Sequence, residues 1–149
     1  MKTNTYFENM TKTAEAYEAA RRSLKAKKEE IIQNHGWDSP EMTAWQEEGK
    51  TLTDPFTRGE WKALKAWSYN KSDELLVEDF CWEEETTDFI ATLRKAGLRS
   101  FITVDRSTAL MENIHAYIAE GCTLEEPATV EKETWHGTET LLGLRFRIN

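Results

Sequence analysis

Apolar residues recur at three- and four-residue spacing from the start of the chain: Phe7, Met10, Ala14, Tyr17, Leu24 and Ile31. Arg21 and Lys28 stand where apolar residues would complete that seam. The spacing predicts one long amphipathic helix over 7–33, close to 40 Å at about 1.5 Å per residue. Asn34-His35-Gly36 stops it. Ser39, Pro40 and Glu41 then mark a second helix start, serine capping and proline in the first turn. This helix carries Met42 and Trp45 and ends at Gly49. After the turn Thr53-Asp54-Pro55, the spacing of Trp61, Leu64 and Lys65 predicts a third helix over 57–69.

From Asp73 the period changes. Residues 74–80 read as a strand and 83–97 as a helix, with Phe89, Ile90 and Leu93 inward. Gly97 ends that helix, with Leu98 set to fold back on Leu93. Residues 100–104 are apolar on both faces, the mark of a central strand. Residues 107–120 predict a helix with Leu110, Met111, Ile114, Tyr117 and Ile118 on its apolar face. Residues 122–133 form a weaker strand that Pro127 assigns to a sheet edge. After a turn at Trp135-His136-Gly137-Thr138, residues 140–148 alternate, Leu142, Leu144, Phe146 and Ile148 one way, Arg145 and Arg147 the other. The order is β-α-β-α-β-β. The fold class expected is α+β (α/β-like): an N-terminal three-helix region (1–72) packed on a small four-stranded mixed sheet with two helices (73–149), forming one compact domain. Right-handed crossovers make the first three strands parallel and the last two a hairpin.

The 149 residues suffice to bury a core without a disulfide or metal. The opening residues show no leader pattern and no apolar stretch is long enough to span a bilayer, so a cytoplasmic protein is expected. Cys81 and Cys122, with no C-x-x-C, read as buried apolar fillers. The net charge of -8 is uneven: residues 1–72 hold 12 Lys/Arg against 11 Asp/Glu, and residues 73–149 hold 7 against 16. Such acidity disfavours nonspecific binding of nucleic acid or anionic membrane by the second half.

The run Phe89-Ile-Ala-Thr-Leu-Arg-Lys-Ala-Gly97, then Phe101 through His115 with its Ser107-Thr108-Ala109-Leu110-Met111 core, then Gly121-Cys122, resembles a family of small uncharacterised proteins. These occur on plasmids, prophages and other mobile elements of gut Firmicutes. The resemblance covers residues 80–149. It implies no activity and no catalytic residues. It does imply a mobile-DNA setting, in which counter-defence and element maintenance are common tasks.

Three groups of side chains carry candidate chemistry. Asp73, Glu74, Glu78, Asp79, Glu83, Glu84, Glu85 and Asp88 form an acidic run without a basic residue. Such a surface can stand in for phosphates in a basic channel; the plainer account is helix-dipole compensation and solubility, which covers Glu83 to Asp88. Asp105, Arg106, Ser107 and Thr108 follow a strand and precede a helix, where anions bind in open α/β sheets; ordinary capping explains them as well. Arg21, Arg22, Lys25, Lys27 and Lys28 are a basic block able to track phosphates, although Glu15, Glu18, Glu29 and Glu30 flank it and suggest a solvated face. His115 reads as a boundary histidine, and with His35 and His136 in turns no metal triad is expected. Four of the six tryptophans lie between Trp37 and Trp67 and are expected to form the core of the helical half.

No nucleophile-base arrangement is present, so no enzyme and no cofactor are expected. The reading these residues favour is a non-enzymatic protein-binding inhibitor from a mobile element, in its most concrete form an anti-CRISPR protein whose acidic surface occupies the basic channel of a nucleic-acid-handling host protein. The alternatives are a small-anion or nucleotide-binding regulator at residues 105–108, or a nucleic-acid binder at residues 21–28. The seam of the first helix is suited either to a homodimer or to folding back on the sheet.

Overall fold

The computed structural model describes residues 3–78, 82–104 and 107–149. Two units are distinguished. One comprises Met1–Glu8 with Phe56–Asn149, the other Asn9–Pro55. The first helix, α1 (Thr5–His35), begins in the former and continues through the latter.

The larger unit is an α+β fold. It holds α3 (Arg58–Asn70), β1 (Glu74–Val77), α4 (Glu83–Lys95), β2 (Ser100–Thr103), α5 (Leu110–Ala119), β3 (Cys122–Thr134) and β4 (Gly137–Ile148). The strands lie in the order β1-β2-β4-β3; β1 and β2 are parallel, and β4 runs antiparallel to both of its neighbours. The apolar strand 100–104 is therefore internal, and the proline-bearing strand is at an edge. The register slips between Leu124 and Pro127, where proline has no N–H to give the ladder.

Alternation sends Leu75, Phe101 and Phe146 to one face, where α4 and α5 add Phe89 and Tyr117; all five are fully buried. Phe101 stacks on its cross-strand partner Phe146 at 5.3 Å, and Tyr117 meets both edge-on at 5.0 and 5.2 Å. Gly97, at φ 79°, ends α4, and the Leu98 N–H returns to the Leu93 carbonyl at 3.0 Å. α3 starts on a capping box, Thr57 with Glu60. It then passes so close to α4 that a Cβ on Gly59 would lie 2.7 Å from both Asp88 Cβ and Phe89 N. The first turn of α1 joins this unit. Asn4 accepts the Phe7 N–H and donates to the Ala96 carbonyl, and Phe7 stacks on Trp67 at 5.3 Å.

The other face carries Glu74, Leu76, Ser100, Ile102, Arg145 and Arg147. The β3–β4 hairpin runs well past β2, to pairs as remote as Glu133↔Thr138. Its ribbon brings Lys132 to Glu78, just beyond β1. At its base a Cβ on Gly143 would lie 2.6 Å from Ile102 and 2.9 Å from Val104.

The smaller unit pairs the body of α1 with α2 (Pro40–Gly49). Ser39 caps α2, accepting the Met42 N–H at 3.2 Å, as its sequence predicts. The Trp45 indole N–H donates to the Leu24 carbonyl at 2.8 Å.

Several expectations are corrected. The helix expected from Ser107 starts at Leu110, because residues 107–109 turn first. Met111 and Ile118 face solvent rather than the core, since α5 turns Asn113 and Tyr117 inward. Leu142 is exposed because the ribbon there runs past the end of the pairing with β2. The tryptophans from Trp37 to Trp67 do not form one core: Trp67 is buried, Trp45 and Trp61 are half-buried and Trp37 is exposed.

Candidate functional site

The acidic run is divided by the fold. Glu74 accepts two parallel bonds from Arg145, Nε to Oε2 at 2.9 Å and Nη2 to Oε1 at 3.0 Å, and the Ser100 hydroxyl also donates to it. Partial burial pushes the Glu74 carboxyl up, but these donors outweigh it and hold the group below the usual glutamate value. The same contact raises the Arg145 guanidinium. Glu78 is paired with Lys132. Glu85 folds back to accept the Trp82 N–H at 3.3 Å. Asp88 is half-buried under α3 at Gly59. Asp73 is exposed ahead of β1. Asp79 lies outside the described residues.

Glu83 and Glu84 are different. They occupy the exposed first turn of α4, where they favour the helix dipole, and neither has an ion pair among the described residues. The half-exposed Trp82 precedes them. Beside them, α4 and α5 bound a groove of about 560 Å³ lined by Glu83, Thr87, Glu112, His115 and Glu120, with Met111 exposed along it. Met111 and Ile118, seven residues apart, lie on the same side of α5, 73% and 50% exposed. Sequence reasoning missed this face because it assigned both residues to the core. The rotation shows in the fold, where Asn113 is buried and turned inward.

Asp105 and Arg106 lie outside the described residues. Ser107 accepts the N–H of Ala109, two residues on, in a local turn, and Thr108 is exposed.

The basic block divides as well. Lys27 pairs with Glu48 at 2.6 Å. Arg21, Arg22, Lys25 and Lys28 line a separate cleft of about 790 Å³ between α1 and α2, together with Trp45. Lys28 Nζ lies over two indoles, 5.5 Å from Trp37 and 5.2 Å from Trp45. His115 is exposed, His35 lies 3.8 Å from Glu41, and His136 stacks on Trp135 at the hairpin tip. No His/Cys/Asp/Glu group among the described residues is arranged to hold a metal ion. Cys122 is buried, and that burial raises its thiol; Cys81 lies outside the described residues.

The family description "Domain of unknown function (DUF7698)" matches residues 61–148, more than half of the chain. The chain belongs to this family. The DUF7698 match begins within α3 and takes in the whole sheet, α4 and α5, so the α4–α5 groove falls inside it and the α1–α2 cleft outside. No curated protein and no solved structure matches the chain. No helix among the described residues is long and apolar enough to cross a membrane.

Proposed function

We propose that this DUF7698 protein is a non-enzymatic protein-binding module whose docking surface is the α4–α5 face. The observation that carries this is the exposed Met111 and Ile118 beside a groove edged by Glu83, Glu112 and Glu120. Met111 and Ile118 stand about two turns apart on this side of α5 with His115 between them, so a partner laid along the helix would cover both. Methionine adapts to irregular partner shapes, and the acidic edge selects a basic partner and steers its approach. The occupant is a basic segment with apolar anchors, on another protein. Its most concrete form is the basic nucleic-acid channel of a host effector, with Glu83 and Glu84 taking the place of phosphates and Trp82 as an anchor. The resemblance to mobile-element proteins supports an inhibitory, counter-defence role of this kind.

The test uses a fluorescein-labelled peptide repeating Lys-Leu-Lys. Its anisotropy with the full chain is expected to rise, to fall with added salt, and to lose most of its affinity in Glu83→Lys/Glu84→Lys and in Met111→Asp. Equal affinity in all three proteins would reject the reading.

A further inference from the structure

The unit Asn9–Pro55 carries seven Lys/Arg and nine Asp/Glu, yet its cations are gathered. Arg21, Arg22, Lys25 and Lys28 line one side of the α1–α2 cleft, and Glu18 is the one acid in its lining. On a helix, residues 21, 25 and 28 share one face within about 10 Å of axial rise. Arg21 is 3.4 Å from Glu18, an exposed and therefore weak pair. Arg22 and Lys25 are exposed and have no ion pair among the described residues. Lys28 is held over Trp37 and Trp45 rather than by a carboxylate. The Trp45 bond to the Leu24 carbonyl fixes α2 at this distance from α1, so the cleft is held open by the fold. Its floor is apolar: Leu24, Trp45 and Leu52 line it and are only half-buried.

We infer that this cleft is a second docking site, for an acidic peptide segment of a partner protein that carries an apolar residue among its carboxylates. Two features favour a short acidic peptide over nucleic acid. The cations cover only about two turns of helix, whereas a polyphosphate continuing along α1 would meet Glu15, Glu29 and Glu30. The apolar floor of Leu24 and Leu52 also has no use for phosphates, and it suits an aliphatic side chain between flanking acids. The partner's carboxylates take bidentate bonds from Arg21 and Arg22 and point-charge contacts from Lys25. The site lies outside the DUF7698 match.

The experiment is fluorescence anisotropy of a fluorescein-labelled peptide repeating Glu-Glu-Leu, titrated with the full chain at low salt. Saturable binding is expected, weakened at least about tenfold in Arg22→Glu/Lys25→Glu. Arg22→Gln/Lys25→Gln, with no repulsion introduced, is expected to weaken it in the same direction, and Lys12→Glu to leave it unchanged. A peptide with Gln for Glu is expected not to bind. No binding of the acidic peptide, binding unaltered in both double variants, or preferential binding of an oligothymidylate strand would each overturn the inference; the last would identify a nucleic-acid site.

Discussion

Arg145 on β4 reaches over β2 and grips Glu74 on β1 with two parallel bonds of 2.9 and 3.0 Å. One guanidinium thus ties three strands together, and one carboxylate of the acidic run serves the fold rather than a surface. Because Glu74 is held below its usual value, its stabilisation is present above the ordinary glutamate value of 4.5 and is lost as pH falls through the lower folded value. Glu74→Gln is expected to be less stable than the parent at neutral pH, with the gap closing in acid. Thermal midpoints of both proteins across pH 3 to 7 measure this, and a gap that stays constant would show that the pair contributes nothing through charge.

Gly59 and Gly143 occupy positions where a methyl group has no room. A Cβ on Gly59 would enter the α4 backbone around Phe89, and one on Gly143 would strike Ile102 and Val104. Gly59→Ala and Gly143→Ala are each expected to cost about 1–3 kcal/mol, from overpacking rather than from lost contacts. Gly49→Ala, with open space around it, is expected to be neutral or slightly stabilising. Urea unfolding of the three variants separates the cases.

The ring cluster under the sheet sets the largest single cost. Phe89 is fully buried against Phe101 and Tyr117. Phe89→Ala is expected to lose about 3–5 kcal/mol, measured as a shift in urea midpoint with an unchanged slope.

The central placement of strand 100–104, the edge placement of the proline strand and the glycine stop at Gly97 were all legible, because each follows from a local rule: an apolar run on both faces, a missing N–H, a positive φ. The engagement of Glu74 and Glu78 was not. Their partners, Arg145 and Lys132, are about 70 and 50 residues away in sequence, and only the folded sheet and the curl of the hairpin bring them together. The face of α5 was misread because Met111 and Ile118 fit an apolar stripe as well as Asn113 fits a polar one, and periodicity alone could not say which stripe turned inward. Arg21 and Lys28 interrupt the α1 seam for a reason visible only in space: they border the cleft, and Lys28 sits over two indoles.

That cation contact gives a further expectation. Lys28→Gln, which removes the charge lying over Trp37 and Trp45, is expected to destabilise the Asn9–Pro55 unit by about 0.5–2 kcal/mol. Lys28→Arg is expected to retain most of the stability. Hydrogen exchange resolved to α1 and α2 reads both, and equal protection in the two variants would remove the cation–π account.

The proposed docking depends on the exposed side of α5 together with the first turn of α4. Its most direct test is amide chemical-shift mapping of the ¹⁵N-labelled full chain titrated with the Lys-Leu-Lys peptide. Shifts are expected to concentrate at Glu83, Glu84, Met111, His115 and Ile118. Shifts centred on other elements, or none at saturating peptide, would contradict it.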